Sequence, residues 1–296
     1  MRWTPRIRPP GRGRRATRLA PAAAARSTST ATAGPEGLRK AARRLPPETG
    51  RRPDFAGQSF AGSASPQPSG AAAGLATRLL HQDDRLLILD KPAGLPVHAG
   101  PRGGPSLEDW LPALALGKRR IPQPAHRLDT DTAGCLVLGR TKPALAELGA
   151  LFASGQVAKT YWAVVRGAPN AGAPDAADGV VAAPLLKRST AKEGWRMVVD
   201  PAGQPASTAW RVLGAADGLT WLELHPRTGR THQVRVHCAH LGCPILGDPR
   251  YGGGEGRLHL LARGIALPLD PPVAATAPPP PHMRAALAAC GWRDAT

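Results

Sequence analysis

The stretch HRLDTDTAGCLVLGR, residues 126–140, decides how the rest of the chain is read. His126, Arg127, Asp129 and Asp131 fall within six residues and lead directly into the apolar tetrad Cys135-Leu136-Val137-Leu138. A polar loop delivered by a short buried strand is a usual way to hold a reactive side chain rigidly. Gly134, at the join, suits a tight turn or a close approach of two backbones. Alone, an RxD of this kind is more often a charged surface turn carrying an Arg–Asp pair. Its neighbours settle the reading.

On the N-terminal side, Arg85-Leu86-Leu87-Ile88-Leu89-Asp90 reads as a buried strand closed by the turn residues Lys91-Pro92-Ala93-Gly94. Ser106, with Asp109 three residues on, reads as the cap of a short helix that Pro112 limits or bends. On the C-terminal side, Thr141 and Pro143 start a helix whose Leu145, Leu148 and Phe152 share a face, and Gly155 ends it. Lys159–Val165 (KTYWAVV) is rich in aromatic and branched residues and reads as a strand. Alternation places Tyr161 with Ala163 and Val165 on one face and Trp162 with Val164 on the other. After a Pro/Gly/Ala/Asp loop at 168–179, strands are expected around 197–199, 207–213 and 219–224. Thr231 is expected to cap a helix whose Val234, Cys238 and Leu241 face the core, with Gly242 as the stop and Arg235 at the edge of the buried face. A strand at 258–261, a proline tract at 271–281 and a small helix ending at Gly291-Trp292 complete the chain. Many strands with few helices argue an α+β fold built on a mostly antiparallel sheet.

The charge is extreme and uneven. The 296 residues carry 39 Lys+Arg against 21 Asp+Glu, a formal +18. Residues 1–75 hold 14 of those bases and 3 acids, so +11 lies in a segment rich in Ala, Pro, Gly, Ser and Arg that cannot bury enough apolar surface to fold alone. That segment is expected to be a disordered basic tail, with residues 76–296 as the folded domain. The first 35 residues contain eight arginines and no acid, which fits a nucleic-acid tail, an organelle transit peptide or a misplaced start codon. So basic a chain points to RNA, DNA or an anionic membrane surface. No apolar run reaches the ~18 residues of a membrane span, and four cysteines make no disulfide scaffold, so a reducing compartment is expected.

Several chemistries lack their signatures. No glycine stands five residues before Gly117-Lys118, and no GxGxxG follows a strand, which argues against nucleotide cofactors. His232, His237, Cys238, His240 and Cys243 crowd together without a CxxC pair, on an expected helix with Cys238 inward, so packing is favoured over zinc. A GxSxG turn is missing too. What remains is a carboxylate in a loop, a phenol on a strand and an arginine on a helix, beside a basic surface. That set suits an Asp nucleophile kept ionised by a cation in a cleft that binds a polyanion.

HRLDTDTAG at 126–134 resembles the HRLDxxTSG signature of the RluA-type RNA pseudouridine synthases. LLILDKPAGLPVHAG at 86–100, KTYWAVVRG at 159–167 and RTGRTHQVRVHCAHLGCPILGDPRYGG at 227–253 resemble further blocks of the same family, in its order. The resemblance covers about 81–292, with one departure: Ala133 stands where the family usually has Ser. It implies the family's α+β fold, a mixed, mostly antiparallel bent sheet with flanking helices and a central cleft. It implies Asp129 as the attacking carboxylate, Tyr161 as the aromatic that packs on the flipped base and serves in proton transfer, and Arg235 as the cation paired with Asp129. His126 and Arg127 would fill the gap left by the extruded nucleotide or hold its phosphates, and Thr132, Arg230, His232 and Gln233 would also contact substrate. An isomerisation needs no cofactor and no metal. The implied partner is structured RNA, rRNA rather than tRNA, bound by a cytoplasmic monomer with no obligatory protein partner and no membrane. Import into an organelle would follow only if residues 1–35 are a transit peptide. A catalytically silent RNA-binding or rRNA-folding factor is the alternative; a metal-dependent nuclease or deaminase would need ligand spacings that are missing.

Overall fold

The computed structural model describes residues 74–100, 103–169, 177–190 and 194–294. The expected basic tail lies outside the described residues except for Gly74 and Leu75, as does the middle of the 168–179 loop. Strands β1 (Leu79–Gln82), β2 (Leu86–Lys91), β3 (Gln123–Pro124), β4 (Ala133–Gly139), β5 (Ala158–Arg166) and β6 (Asp178–Ala182) lead to a hairpin of β7 (Leu185–Thr190) and β8 (Gly194–Val199). Then come β9 (Ser207–Ala216), β10 (Leu219–Pro226), β11 (Leu260–Leu267) and β12 (Val273–Thr276). A 3-10 helix spans Leu107–Ala115, and the α-helices are α1 (Lys142–Ala153), α2 (Gln233–His240) and α3 (Pro281–Ala289). Among the described residues, no helix is long and apolar enough to cross a membrane.

The main sheet runs β1-β2-β4-β11-β5-β10-β9-β6, with β3 on β4 and β12 on β11, while β7 and β8 pair only with each other. All pairings in it are antiparallel except β4 with β11. The expected α+β class with a mixed, mostly antiparallel sheet is what is found. Register shifts at Trp221/Leu222 and Leu261/Gly264 insert bulges, which bend and twist strands locally.

Both faces of the sheet centre are buried, and period-2 alternation sorts the side chains. Leu86 and Ile88 of β2, Cys135 and Val137 of β4, and Val164 of β5 pack on one face with Leu148 of α1 and Met283 and Leu287 of α3. The opposite face is covered in two parts. The 3-10 helix lays Leu107, Leu111 and Leu114 over Leu87, Leu89, Leu136 and Leu138. Helix α2 lays Val234 and Cys238 over Ala163, Val165, Leu222 and Leu224. Tyr161 packs against both of these clusters, so the phenol sits at the seam between them. A cleft opens there because neither covering element extends across the seam.

The caps are mostly as expected. Thr141 accepts the Ala144 N–H at 3.2 Å at the start of α1, and the Ser106 N–H donates to Asp109 Oδ2 at 2.8 Å before the 3-10 helix. Pro112 lies inside that helix, which never reaches α geometry. Thr231 is not the cap of α2. The cap position falls one residue later, at His232, whose backbone is left-handed at φ 53° and whose side chain makes no capping bond. Strands β1, β3, β6, β7 and β12 were not expected from the sequence, being short or set in proline- and charge-rich surroundings.

Candidate active site

Asp129 lies in the loop between β3 and β4, anchored on both sides. Leu128 is buried under the 3-10 helix, and Thr132, 2% exposed, closes the turn by donating its N–H to the Asp129 carbonyl at 3.1 Å. Gly134 fixes where the loop meets the sheet. Its φ is +109°, and a Cβ there would stand 2.3 Å from the Ala262 carbonyl oxygen of β11. Ala133, the departure from the family pattern, is buried in β4 opposite Leu261 and faces the core rather than the cleft.

His126 lines one of the wider cavities, yet its ring is engaged in structure. Its ring stacks on Phe152 at 4.3 Å, and its Nε2 accepts the Val137 N–H at 3.0 Å. Burial, reinforced by the charge of Lys159, pushes its pKa down to about 3, so the imidazole is neutral and a poor phosphate ligand. It is a strut that ties the loop to β4. Arg127 is exposed and lines three adjoining cavities, of about 100, 510 and 490 Å³, the first two shared with Asp129.

Lys91 was missed by the sequence reading, which gave it only a place in a turn. Its ammonium is fully buried and donates to the carbonyls of Pro92 at 2.9 Å, Leu95 at 2.8 Å and Thr130 at 2.9 Å. One cation thereby pins the residue after Asp129 to the Pro92–Leu95 turn. Burial lowers its pKa to about 8 against the opposing pull of Asp131, Asp129 and Asp90.

Arg235 projects from α2 toward Asp129, with Nη1 3.6 Å from Oδ2. The tighter partner is Asp248, which accepts from Nε at 2.7 Å and from Nη2 at 2.9 Å. The pairing with Asp129 is therefore a charge contact from the free corner of a guanidinium already clamped by another carboxylate. Desolvation is the largest influence on Arg235 and lowers its pKa, but the bonds and charge of Asp248, then Asp129, outweigh it and hold the group above its ordinary value. Asp248 also accepts the backbone N–H groups of Arg250 at 3.1 Å and Tyr251 at 3.3 Å. It stood in the GDPRYGG block, but nothing in sequence spacing marks it as the partner of Arg235.

His232 Nε2 lies 3.8 Å from Asp129 Oδ2, and its Nδ1 meets the Tyr251 hydroxyl at 2.9 Å. That hydroxyl also accepts the Met197 N–H at 3.2 Å, which ties the ring to the β7–β8 hairpin. Burial is the chief cause of a His232 pKa near 4, opposed by Asp129, so the ring faces the carboxylate in its neutral form. Tyr161 is raised well above the ordinary phenol range, by burial first and by the Asp129 charge second.

Gln233 lines the smallest cavity. Only 4% exposed, it spends its amide on structure: Nε2 donates to the Ser207 carbonyl and Thr208 Oγ1, and Oε1 accepts from Thr228 Oγ1 and the Arg230 N–H. It fastens the 228–230 loop beside the cavity. Arg230 on that loop is exposed and lines two of the cavities. The His/Cys crowding is likewise structural. His237 bonds Thr208 Oγ1 and the Ala183 carbonyl, and Cys238 and Cys243 are buried free thiols.

The smallest cavity joins Asp129, Tyr161, Lys159, Arg235 and His232, and the two larger ones add Arg250 and Arg257 on one side and Arg227 on the other. A narrow polar pocket between two wider basic ones can take one flat group and the charged chain on both sides of it.

Comparison with known proteins gives the same assignment. The family model described as RNA pseudouridylate synthase matches residues 85–240. An uncharacterized RNA pseudouridine synthase of Zymomonas mobilis is 43% identical over 213 residues, covering 70% of this chain and 95% of that protein. The ribosomal large subunit pseudouridine synthase D of the same organism is 35% identical, over 64% of this chain and 60% of its own length. A mitochondrial pseudouridylate synthase of Xenopus tropicalis is 35% identical over 60% of each chain. The solved structure of human RNA pseudouridylate synthase domain containing 4 superposes with a TM-score of 0.65 at 30% identity, covering 75% of this chain and 96% of that one. With more than half of the chain matched, it belongs to the RNA pseudouridylate synthase family, isomerases that act on uridines in RNA.

Proposed function

We propose that residues 76–296 form the catalytic domain and convert a uridine in ribosomal RNA to pseudouridine, with Asp129 as the nucleophile. The observation that carries this reading is the position of Asp129: 18% exposed, at the mouth of a small pocket shared with Tyr161, and 3.6 Å from a clamped guanidinium. The target nucleotide leaves its stack and enters that pocket, at a cost of a few kcal/mol that contacts to the flanking RNA must offset. Asp129 attacks the uridine, the bond from C1′ to N1 breaks, the uracil turns, and C1′ joins C5 as the bond to Asp129 breaks and frees the carboxylate. N1 gains a proton and C5 loses one, so the product is an isomer and no external reagent is consumed. Arg235 sets a positive charge beside the carboxylate as it acts beneath the base. Tyr161 offers the aromatic face for the uracil and a hydroxyl for proton transfer.

Arg127, Arg230 and neutral His232 contact the RNA around the pocket, with Thr132 forming its floor. Ribosomal RNA is favoured over tRNA because a relative named for the large ribosomal subunit is among the matches. Four buried free cysteines fit a reducing compartment, which we take to be the cytoplasm, and we take the protein to act as a monomer. Mitochondrial relatives make the organelle the alternative address, and N-terminal sequencing of the protein from its host decides between them.

Asp129→Asn tests the reading. The amide keeps the shape but not the nucleophile, so release of tritium from RNA labelled at uridine C5 should vanish while the fold and much of the RNA affinity persist. Turnover near wild type would overturn the assignment. Mapping pseudouridines in RNA from a deletion strain identifies the position.

A further inference from the structure

The β7–β8 hairpin takes no part in the reaction above, yet it carries Trp195, an indole 37% exposed. Met197 packs into the core, whereas Trp195, two residues earlier on the same face of β8, is left to line the cleft. It lines the cavity of about 510 Å³ that Asp129 also lines, together with Arg127, Arg250 and Arg257. One ring separates the two: His232, whose centroid is 5.1 Å from the indole, has its Nε2 3.8 Å from Asp129.

The surroundings of the indole are cationic. Lys187 Nζ lies 5.1 Å and Arg250 Cζ 5.0 Å from the ring centroid, and the Arg250 guanidinium also donates to the Trp195 carbonyl. An aromatic face set among positive charges is what single-stranded RNA grooves use, the ring taking a base and the cations its phosphates. A protein or lipid partner would ask for a wider apolar patch, and Val180 is the one other strand residue among the exposed large hydrophobics of the described residues. Lys187 is exposed and can leave the ring for a phosphate, whereas Arg250 is held in place by its carbonyl bond.

We propose that Trp195 is a stacking platform for a nucleobase next to the target uridine, with Lys187 and Arg250 taking the adjoining phosphates. The proposal rests on the reading of Asp129 as the reaction centre. It makes the hairpin a determinant of how the RNA is held rather than of the chemistry.

The test compares full-length protein carrying Asp129→Asn with the same protein also carrying Trp195→Ala or Trp195→Phe. The probes are an oligouridylate and an abasic ribose phosphate of equal length and charge. Trp195→Ala should lose roughly tenfold of the preference for the base-bearing probe, Trp195→Phe should keep most of it, and the salt dependence should stay the same because the phosphates are unchanged. With Asp129 intact, Trp195→Ala should raise KM for total RNA from a deletion strain by a similar factor and keep kcat. An unchanged preference and KM in Trp195→Ala would overturn the proposal. So would equal losses in the Ala and Phe variants accompanied by a lower melting temperature, which would mark Trp195 as a mere support of the hairpin. If wild-type protein released no tritium, the catalytic reading would fail while the two-probe comparison still reported on Trp195.

Discussion

Arg235 serves two carboxylates with one guanidinium, and the division of labour decides what its replacement does. The fork on Asp248 is almost wholly buried, with side chains 7% and 0% exposed, while only one corner reaches Asp129. Removing one member of such a pair strands the other in a poorly solvating interior, at about 3–5 kcal/mol. Arg235→Ala should therefore lose stability on that scale along with activity, and Arg235→Lys should fall between, keeping the charge without the fork. Arg235→Ala combined with Asp248→Ala should recover part of the stability, since the fully buried carboxylate is removed along with its partner, and none of the activity, since Asp129 still lacks its cation. Urea unfolding and tritium release measured on the same four proteins check this. A double variant that regained turnover would show that Asp129 does not need the guanidinium.

At the level of elements, the Asp129 loop depends on where β4 meets β11. Gly134→Ala would place a Cβ 2.3 Å from a backbone oxygen that cannot swing aside, at a φ that L residues avoid. We expect a loss of at least about 2 kcal/mol in urea unfolding and a fall in kcat as the loop shifts; a variant matching wild type in both would show that the junction can relax. Such a junction also shows what sequence reveals. Strands β2, β4 and β5 were legible because their patterns are local: unbroken apolar runs in the first two, and in β5 an alternation that put Tyr161 and Trp162 on opposite faces. Helix α1 was legible from Thr141, Pro143 and Gly155. The insertion of β11 between β4 and β5 was not, because strand order is a long-range matter. Side-chain direction was equally hidden. His126 and Gln233 have the residue types of RNA contacts, yet they spend their polar atoms on Val137, Ser207, Thr208 and Thr228. Lys91 and Asp248 look like ordinary turn residues in sequence, and only burial shows that they hold the site together.

Over the whole molecule, charge acts in two ways. Residues 1–75 hold +11 of the formal +18. A protein shortened to begin at Ala76 should fold and modify the same uridine, because phosphate contacts carry no sequence information. If the tail touches RNA, the shortened protein should bind more weakly with a flatter salt dependence, as fewer counterions are released. Modification of a different uridine by the shortened protein would show that the tail selects the site. The second effect comes from imidazoles. His126 and His232 are held near 3 and 4 by burial, against 6.5 for the free group, and His237 and His259 are also lowered by burial. An unfolded chain takes up these protons near pH 6.5, whereas the folded chain resists them, so acid favours unfolding. The stability they protect is complete above about pH 6.5, falls as pH drops toward 4, and for His126 keeps falling toward 3. Each group adds at most about 1.4 kcal/mol per pH unit over its window. Urea unfolding at pH 7, 6 and 5 should show a decline that steepens toward pH 5, and His126→Gln should flatten it by removing one of the titrating rings. An unfolding free energy constant from pH 7 to pH 5 would mean that these rings are protonated in the fold, which would take away the acceptor that Val137 needs and the neutral face that His232 turns to Asp129.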